Sequence, residues 1–368
     1  MESSGVKWVR LGDYISRRTE KNNNYDVPIY GVTRDGFIPP KQKEADTSMY
    51  NTFYLNDFVF NPARMEINSI YLNDFCEKAI CSSLYEIFYI KNTNILLPHY
   101  LHIFLKRDEF ARQCEYIGWG SAREYCRTSD ISDIKIPLPS VAEQQKVVNA
   151  WRAFREIKVQ NEAKAAPLMQ LCQSYIQELK HKYPMQEIGP YIEEYDERNS
   201  NEAYGLDDVR GISIEKKIID TKANMDGVKL SPYKVFRPNT FCYVTITSRN
   251  GEKITLSLNN DNRCYIVSSS YITFRINQED QILPRFLYLW FCRPEFDRYA
   301  RFNSWGSARE AFSFEDMKRC KVPLPPIAVQ QAIVNIYKCA NEAKRIAEEA
   351  DRLSREVCPA LLQYVIHS

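Results

Sequence analysis

Two hydrophobic rhythms alternate along this chain, and each occurs twice. Residues 1 to about 140 carry short apolar runs at strand spacing. Val27 to Val32 and Phe53 to Phe60 predict strands or strand ends, and Leu84 to Ile90 alternates with β-branched and aromatic content. Arg34-Asp35-Gly36 and Asn61-Pro62 predict turns. Pro98 to Tyr116 has helical spacing, with Leu101, Phe104, Leu105 and Phe110 on one face. Asp130 to Ile136 leads into Pro137-Leu138-Pro139, which must be extended because proline restricts the residue before it.

At Ser140 the rhythm changes. Ser140 and Glu143 predict a capping box, and no glycine follows before residue 183. Apolar or small residues recur at Val147, Trp151, Phe154, Ala165, Leu168, Cys172, Tyr175 and Leu179, with lapses at Lys158 and Asn161. This spacing predicts a long helix with a coiled-coil-like seam. Pro167 predicts a kink or a restart, since a mid-helix proline costs about 3 kcal/mol. Residues 184 to about 326 return to the mixed rhythm, with strands at Phe241 to Thr247 and Ser270 to Ile276 and a helix at Pro284 to Tyr299. The last stretch repeats the long helix. Its seam is Ile336, Ala340, Ala343, Ala347, Ala350, Val357, Leu361 and Tyr364, broken at Ser354, with Pro359 near the end.

The two rhythms are a duplication. Trp119 to Asn149 aligns with Trp305 to Asn335 without a gap at an offset of 186 residues, and 16 of the 31 pairs are identical. The shared core of the motif is WGSARE, then PLP, then AxQQ. Towards the front of each copy the match weakens and the offset drifts, which places insertions in loops. The expected organisation is a mixed domain at 1–140, a long helix at 141–183, a second mixed domain at 184–326 and a second long helix at 327–368. The fold class is α+β. Each helix spans about 60 Å if unbroken. Two such seams bury each other most simply as an antiparallel pair with an approximate two-fold, the mixed domains lying at opposite ends of a rod.

Composition narrows the function. A net charge of +2 over 368 residues is not the signature of a strongly basic nucleic-acid binder, so such a role must rest on local patches. With 12 glycines, the chain has neither GxGxxG nor GxxxxGK[ST]. The 11 cysteines show no CxxC spacing and read as free thiols in a reducing cytoplasm. No leader and no apolar run of about 20 residues is present, so a soluble protein is expected. The four histidines, His99, His102, His181 and His367, form no metal constellation.

The order of domain and helix, twice over, resembles the specificity subunit of type I restriction-modification enzymes. The resemblance covers the whole chain. It is carried by Ile136-Pro137-Leu138-Pro139 with Glu143-Gln144-Gln145, and by Val322-Pro323-Leu324-Pro325 with Gln330-Gln331. Gly120 to Glu124 and Gly306 to Glu310 also look like the segment that closes each target recognition domain in that family. The resemblance implies that each recognition domain reads one half of a bipartite, asymmetric site in double-stranded DNA. It implies that the helices hold the domains apart and dock two adenine-methyltransferase subunits, at faces such as Trp151, Phe154, Ile336 and Tyr337. Where a nuclease is part of the complex, two restriction subunits join it. The chain itself would do no chemistry and bind no cofactor or metal; S-adenosylmethionine, ATP and Mg would belong to the partners. A cytoplasmic protein of phage defence is implied.

Candidate DNA contacts are cationic residues of the mixed domains: Arg34, Lys41, Lys43, Arg64, Arg123, Lys216, Lys217, Lys222, Arg249, Lys253 and Arg309. Lys229 and Lys234 extend the basic runs, for which a solvated face is the ordinary reading. Arg64 follows Asn61-Pro62-Ala63, which lacks the aromatic of an amino-methyltransferase loop; it suits a DNA contact or a structural ion pair. Arg123 and Arg309 recur in both copies and so suit a phosphate or structural role better than readout of different half-sites. Gln144, Gln145, Gln330 and Gln331 are expected to cap and orient the helix starts. Two alternatives stay open: a two-lobed coiled-coil scaffold that binds no DNA, and a self-contained methyltransferase or nuclease, for which neither a cofactor loop nor an acidic metal cluster is present.

Overall fold

The computed structural model describes residues 6–23, 26–40, 47–118, 125–247, 253–306 and 309–367. The chain divides into two compact units. One comprises residues 1–161 with 345–368, the other residues 162–344. Each unit therefore holds one mixed domain and a part of both long helices, so the helices are shared between units rather than standing as separate bodies.

The two mixed domains are built on one antiparallel plan. In the first, a four-stranded sheet runs in the order Ile15–Arg18, Glu86–Ile90, Phe58–Phe60, Ile70–Leu72. In the second the order is Ile192–Tyr195, Tyr271–Ile276, Phe241–Val244, Leu256–Leu258. A small hairpin is added in each, Gly31–Thr33 with Gly36–Ile38 and Arg210–Ile212 with Ile218–Asp220. A further pair, Asn51–Tyr54 with Lys78–Cys81, recurs as Lys234–Phe236 with Tyr265–Val267. The correspondence reaches side chains. Phe58 stacks on Phe88 at 4.9 Å and 6°, and Phe241 on Phe274 at 4.8 Å and 6°.

The front halves share this skeleton although their sequences barely match. Phe53 to Phe60 is two strands, not one, because Asn56 turns the chain with φ +67°; Asn239 does the same at +58°. Asparagine tolerates the left-handed region better than most side chains. The amide of Asn56 donates to the Asn73 carbonyl and that of Asn239 to the Asn259 carbonyl, both at 2.8 Å. The helical stretches also split in two, into Pro98–Leu105 and Asp108–Gly118, and into Pro284–Phe291 and Pro294–Phe302. In the second copy Pro294 enforces the break, since it disfavours helix at Arg293 and starts a new one.

The long helices are Val141–Lys182 and Ile327–His367. The first continues through Pro167, which is exposed, so no restart occurs. Ser140 Oγ accepts from the Glu143 amide at 3.3 Å, but the Glu143 carboxylate goes to Lys146 rather than back to Ser140. In the first unit Val147 and Val148 share a core with Cys358, Leu362, Val365 and Ile366, and Lys158 pairs with Asp351 at 2.8 Å, so the helices run antiparallel. In the second unit the Cys172 thiol meets the Ile333 carbonyl at 3.8 Å. The lapse at Lys158 is thus a charge pair seated in the seam. Two seam expectations fail. Tyr175 and Tyr364 are exposed, and Ile176, Val365 and Ile366 are buried instead, because spacings of three and four fit either neighbour and the more apolar side chain goes inward. The four alanines Ala340, Ala343, Ala347 and Ala350 are all buried, which permits close backbone approach.

Each domain is fastened to the start of its long helix by a fully buried glutamine. Gln144 Oε1 accepts from the Leu97 amide at 2.9 Å, and its Nε2 donates to the carbonyls of Ile95 at 2.9 Å and Pro139 at 3.0 Å. Gln330 repeats the pattern with the Leu283 amide at 2.9 Å and the carbonyls of Gln281 and Pro325 at 2.8 Å. The following glutamines face outward and donate to Asn149 and Asn335, each at 2.8 Å. Gln144→Leu strands one buried amide and two carbonyls; it is expected to lower the stability of the first unit by about 3 kcal/mol. Urea denaturation of the full chain checks this, as an earlier transition for that unit alone.

Candidate nucleic-acid interface

The hairpin of the first domain carries Arg34 at its tip, with a side chain 55% exposed and paired to Asp108 at 3.0 Å. Lys106 lies beneath it. Its ammonium donates to the Arg34 carbonyl and to Asn68 O and Oδ1 at 3.2 and 3.3 Å, and sits 5.0 Å from the Tyr71 ring centre. Burial pushes the Lys106 pKa down from 10.5 to about 7. Sequence gave no sign of this residue, which holds the hairpin tip against the junction of the two short helices.

In the second domain the same latch is built from the other side. Lys216 lies in the hairpin turn, with φ +59°, and its ammonium is paired to Asp297 of the helix Pro294–Phe302. Both residues are buried, and Asp297 also accepts from the Ile254 amide at 3.1 Å. The Lys216 carbonyl takes the hydroxyls of Ser257 and Tyr288, each at 2.8 Å. This corrects the expectation of a DNA contact at Lys216: an ammonium committed to a buried carboxylate does not reach a duplex. Lys234 is corrected likewise, being buried and paired to Asp196 at 3.1 Å.

Other candidates do face solvent. Lys217, Lys222 and Lys229 are exposed. Lys253 is 45% exposed and pairs with Glu215 at 2.7 Å, a surface pair of little strength that another anion can displace. Arg64 is exposed at the end of the turn Pro62–Arg64, which Asn61 caps by accepting from the Ala63 amide at 3.1 Å. Arg309 is exposed. Lys41, Lys43, Arg123 and Arg249 lie outside the described residues.

The docking residues expected on the helices are half-buried, each packed against the core of its own unit. Trp151 packs against His99 and His102 at 5.5 and 5.7 Å, with the Arg155 guanidinium over its ring at 5.1 Å. Phe154 is half-buried against the same core, and Ile336 and Tyr337 against the core of the second unit. Arg155 and His99 both reach Asp74, a lock between domain and helix that neither local sequence announces; they hold the Asp74 carboxyl at about 2 against the opposing effect of burial. The apolar residues exposed on the first long helix are instead Val141, Ile157, Val159, Leu171 and Tyr175. Among the described residues there is no cluster of potential metal ligands, and no helix is long and apolar enough to cross a membrane.

Two outcomes follow from the latches. Lys216→Met leaves Asp297 buried without its cation and is expected to destabilise the second unit by about 3–5 kcal/mol, whereas Lys217→Met changes thermal unfolding little. In the unfolded chain Lys106 titrates at its usual value, so between pH 7 and 10.5 the unfolded state holds the extra proton and the stability of the first unit rises with pH. Lys106→Met flattens that rise in denaturation curves recorded across this range.

A family model and a solved structure agree with this architecture. A family model described as the type I restriction modification DNA specificity domain matches residues 6–166 and 205–344, one match on each copy. The S subunit of a type I restriction-modification system from M. genitalium superposes with a TM-score of 0.63 at 14% identity, covering 99% of this chain and 97% of that one. The HsdS subunit from Thermoanaerobacter tengcongensis gives 0.42 at 17% identity, over 99% and 97%. No curated protein sequence matches this one. The duplicated framework and the two family matches together place the chain in the type I restriction-modification DNA specificity family, as a subunit that recognises DNA sequence and is not by itself an enzyme.

Proposed function

We propose that each mixed domain reads one half of a bipartite, asymmetric site in double-stranded DNA. The observation that carries this is one backbone plan built twice with different exposed side chains. Equal frames present equivalent surfaces to a duplex, whose backbone has a two-fold at every base pair, and unlike surfaces on them read unlike bases. Two identical domains would demand a palindromic site; these two differ at the hairpin tips, at Arg34-Asp35 against Ile214-Glu215, and in the loops after Phe60 and Val244.

In this reading the long helices set the spacing of the half-sites and dock two methyltransferase subunits, with restriction subunits added where the system cleaves. S-adenosylmethionine, ATP and Mg belong to those partners, and the complex works in the cytoplasm. Because Trp151, Phe154, Ile336 and Tyr337 serve their own domains, docking falls to the outward residues of the helices, Leu171 and Tyr175 among them.

Mapping the modified adenines of the host genome tests the reading. A single split motif with two unlike halves is expected, and it disappears when this chain is deleted. A continuous or palindromic motif contradicts it. The chain assembled with its methyltransferase should bind that motif with affinity falling steeply as salt rises, the slope counting the neutralised phosphates.

A further inference from the structure

The segment that closes the second domain is tied together at its base. Trp305 and Ala311 exchange both backbone hydrogen bonds, at 3.1 and 3.0 Å. Gly306 turns the chain with φ +144°, and a Cβ there would meet the Arg309 carbonyl at 2.3 Å, so the position requires glycine. An ion pair between Arg301 and Glu310 braces the base. The Glu310 carbonyl accepts from the Thr247 amide at 3.1 Å, and the Phe312 amide donates to the Thr245 carbonyl at 2.8 Å. The loop is therefore fixed against the segment that follows the strand Phe241–Val244.

Large aromatic side chains stand out in water at the end of the helix Pro294–Phe302 and at the first residue of this segment. Trp305 is 67% exposed and Phe302 is 78% exposed. Arg309, four residues after Trp305, is exposed as well and forms no ion pair among the described residues. In the first copy Tyr116 occupies the position of Phe302 and is 77% exposed. Cys126, the counterpart of Phe312, donates its amide to the Pro62 carbonyl at 3.0 Å, in the segment that follows Phe58–Phe60. In both copies, then, the chain just beyond the repeated WGSARE segment is pinned to a divergent one: Asn61-Pro62-Ala63-Arg64 in the first, Thr245-Ile246-Thr247 in the second.

What two unlike half-sites have in common is the sugar–phosphate backbone. Residues that repeat in both copies match that common feature, and residues that differ match the bases. We infer that the closing loop grips the duplex backbone of its half-site, with Arg309 on a phosphate and Phe302 and Trp305 packed against deoxyribose, and leaves the divergent segment beside it to read bases. Tyr116 does in the first domain what Phe302 does in the second. An arginine fork suits a phosphate, and an aromatic side chain, with only two rotatable side-chain bonds, loses little freedom on contact. A surface for docking a protein would have no need to adjoin the divergent segment.

This inference rests on the half-site reading. Its test uses the chain assembled with its methyltransferase subunit, the cognate duplex, and duplexes altered at one base of one half. Arg309→Gln is expected to weaken binding to all of them alike, by about tenfold, and to reduce the salt slope by about 1. Phe302→Ala, Trp305→Ala and Tyr116→Ala are expected to weaken all of them alike without changing the slope. Thermal unfolding of each variant should match the parent, since these side chains are exposed. Arg309→Gln that leaves affinity and slope unchanged overturns the inference. So does a variant that changes which base is preferred, or one that loses the methyltransferase subunit while DNA binding persists. A parent complex with no salt-sensitive duplex binding removes the half-site reading and this inference with it; a binding parent with unaltered variants removes only the loop's assignment.

Discussion

A buried glutamine at the start of each long helix holds a reading domain to its support. Gln144 and Gln330 are each fully enclosed, and each satisfies one amide and two carbonyls that would otherwise be orphaned. Backbone groups at a helix start need partners, and loops that end at prolines have few to offer. The amide side chain supplies donor and acceptor at once, which neither a carboxylate nor an apolar residue does. Angular error at this joint would be carried along a helix of 42 or 41 residues. A rigid joint suits a subunit that must present a surface to DNA in a fixed register.

Around this fixed joint the two copies solve the same packing problems with different chemistry. The turn before the third sheet strand in order is held by Arg18 on Asp57 at 2.6 and 3.0 Å in the first domain, and by Tyr195 with Thr240 at 2.8 Å in the second. The hairpin is latched by a lysine from the helix junction in one copy and from the hairpin in the other. Such exchanges keep the frame while changing the surface. They explain why the copies diverge in sequence without diverging in topology, and why divergence is free to serve recognition.

The back half of each unit was legible because its constraints are local. PLP followed by a helix start, a glutamine in the first turn and a run without glycine all lie within a few residues of one another. The front half was less legible because its constraints are distant. Asp74 meets Arg155 across the fold, Lys106 meets the Arg34 carbonyl, and no periodicity links such pairs. Basic residues were the least legible of all: Lys216 and Lys217 are neighbours, yet one is buried on Asp297 and the other faces water. Charge counting does not separate them, since burial is set by a left-handed turn that the sequence marks only weakly. The helix seams keep the period that the sequence predicts and shift by one residue at Tyr175 and Tyr364, where either neighbour satisfies the spacing.

The joint can be watched directly by amide hydrogen exchange in the full chain. In the parent protein the Leu97 and Leu283 amides, both bonded to a glutamine oxygen, should exchange slowly. In Gln144→Leu, Leu97 and the first turn of its long helix are expected to lose protection while Leu283 keeps it. Equal protection of Leu97 in parent and variant, or loss of protection at both amides together, would contradict the claim that each domain is fastened separately by its own glutamine.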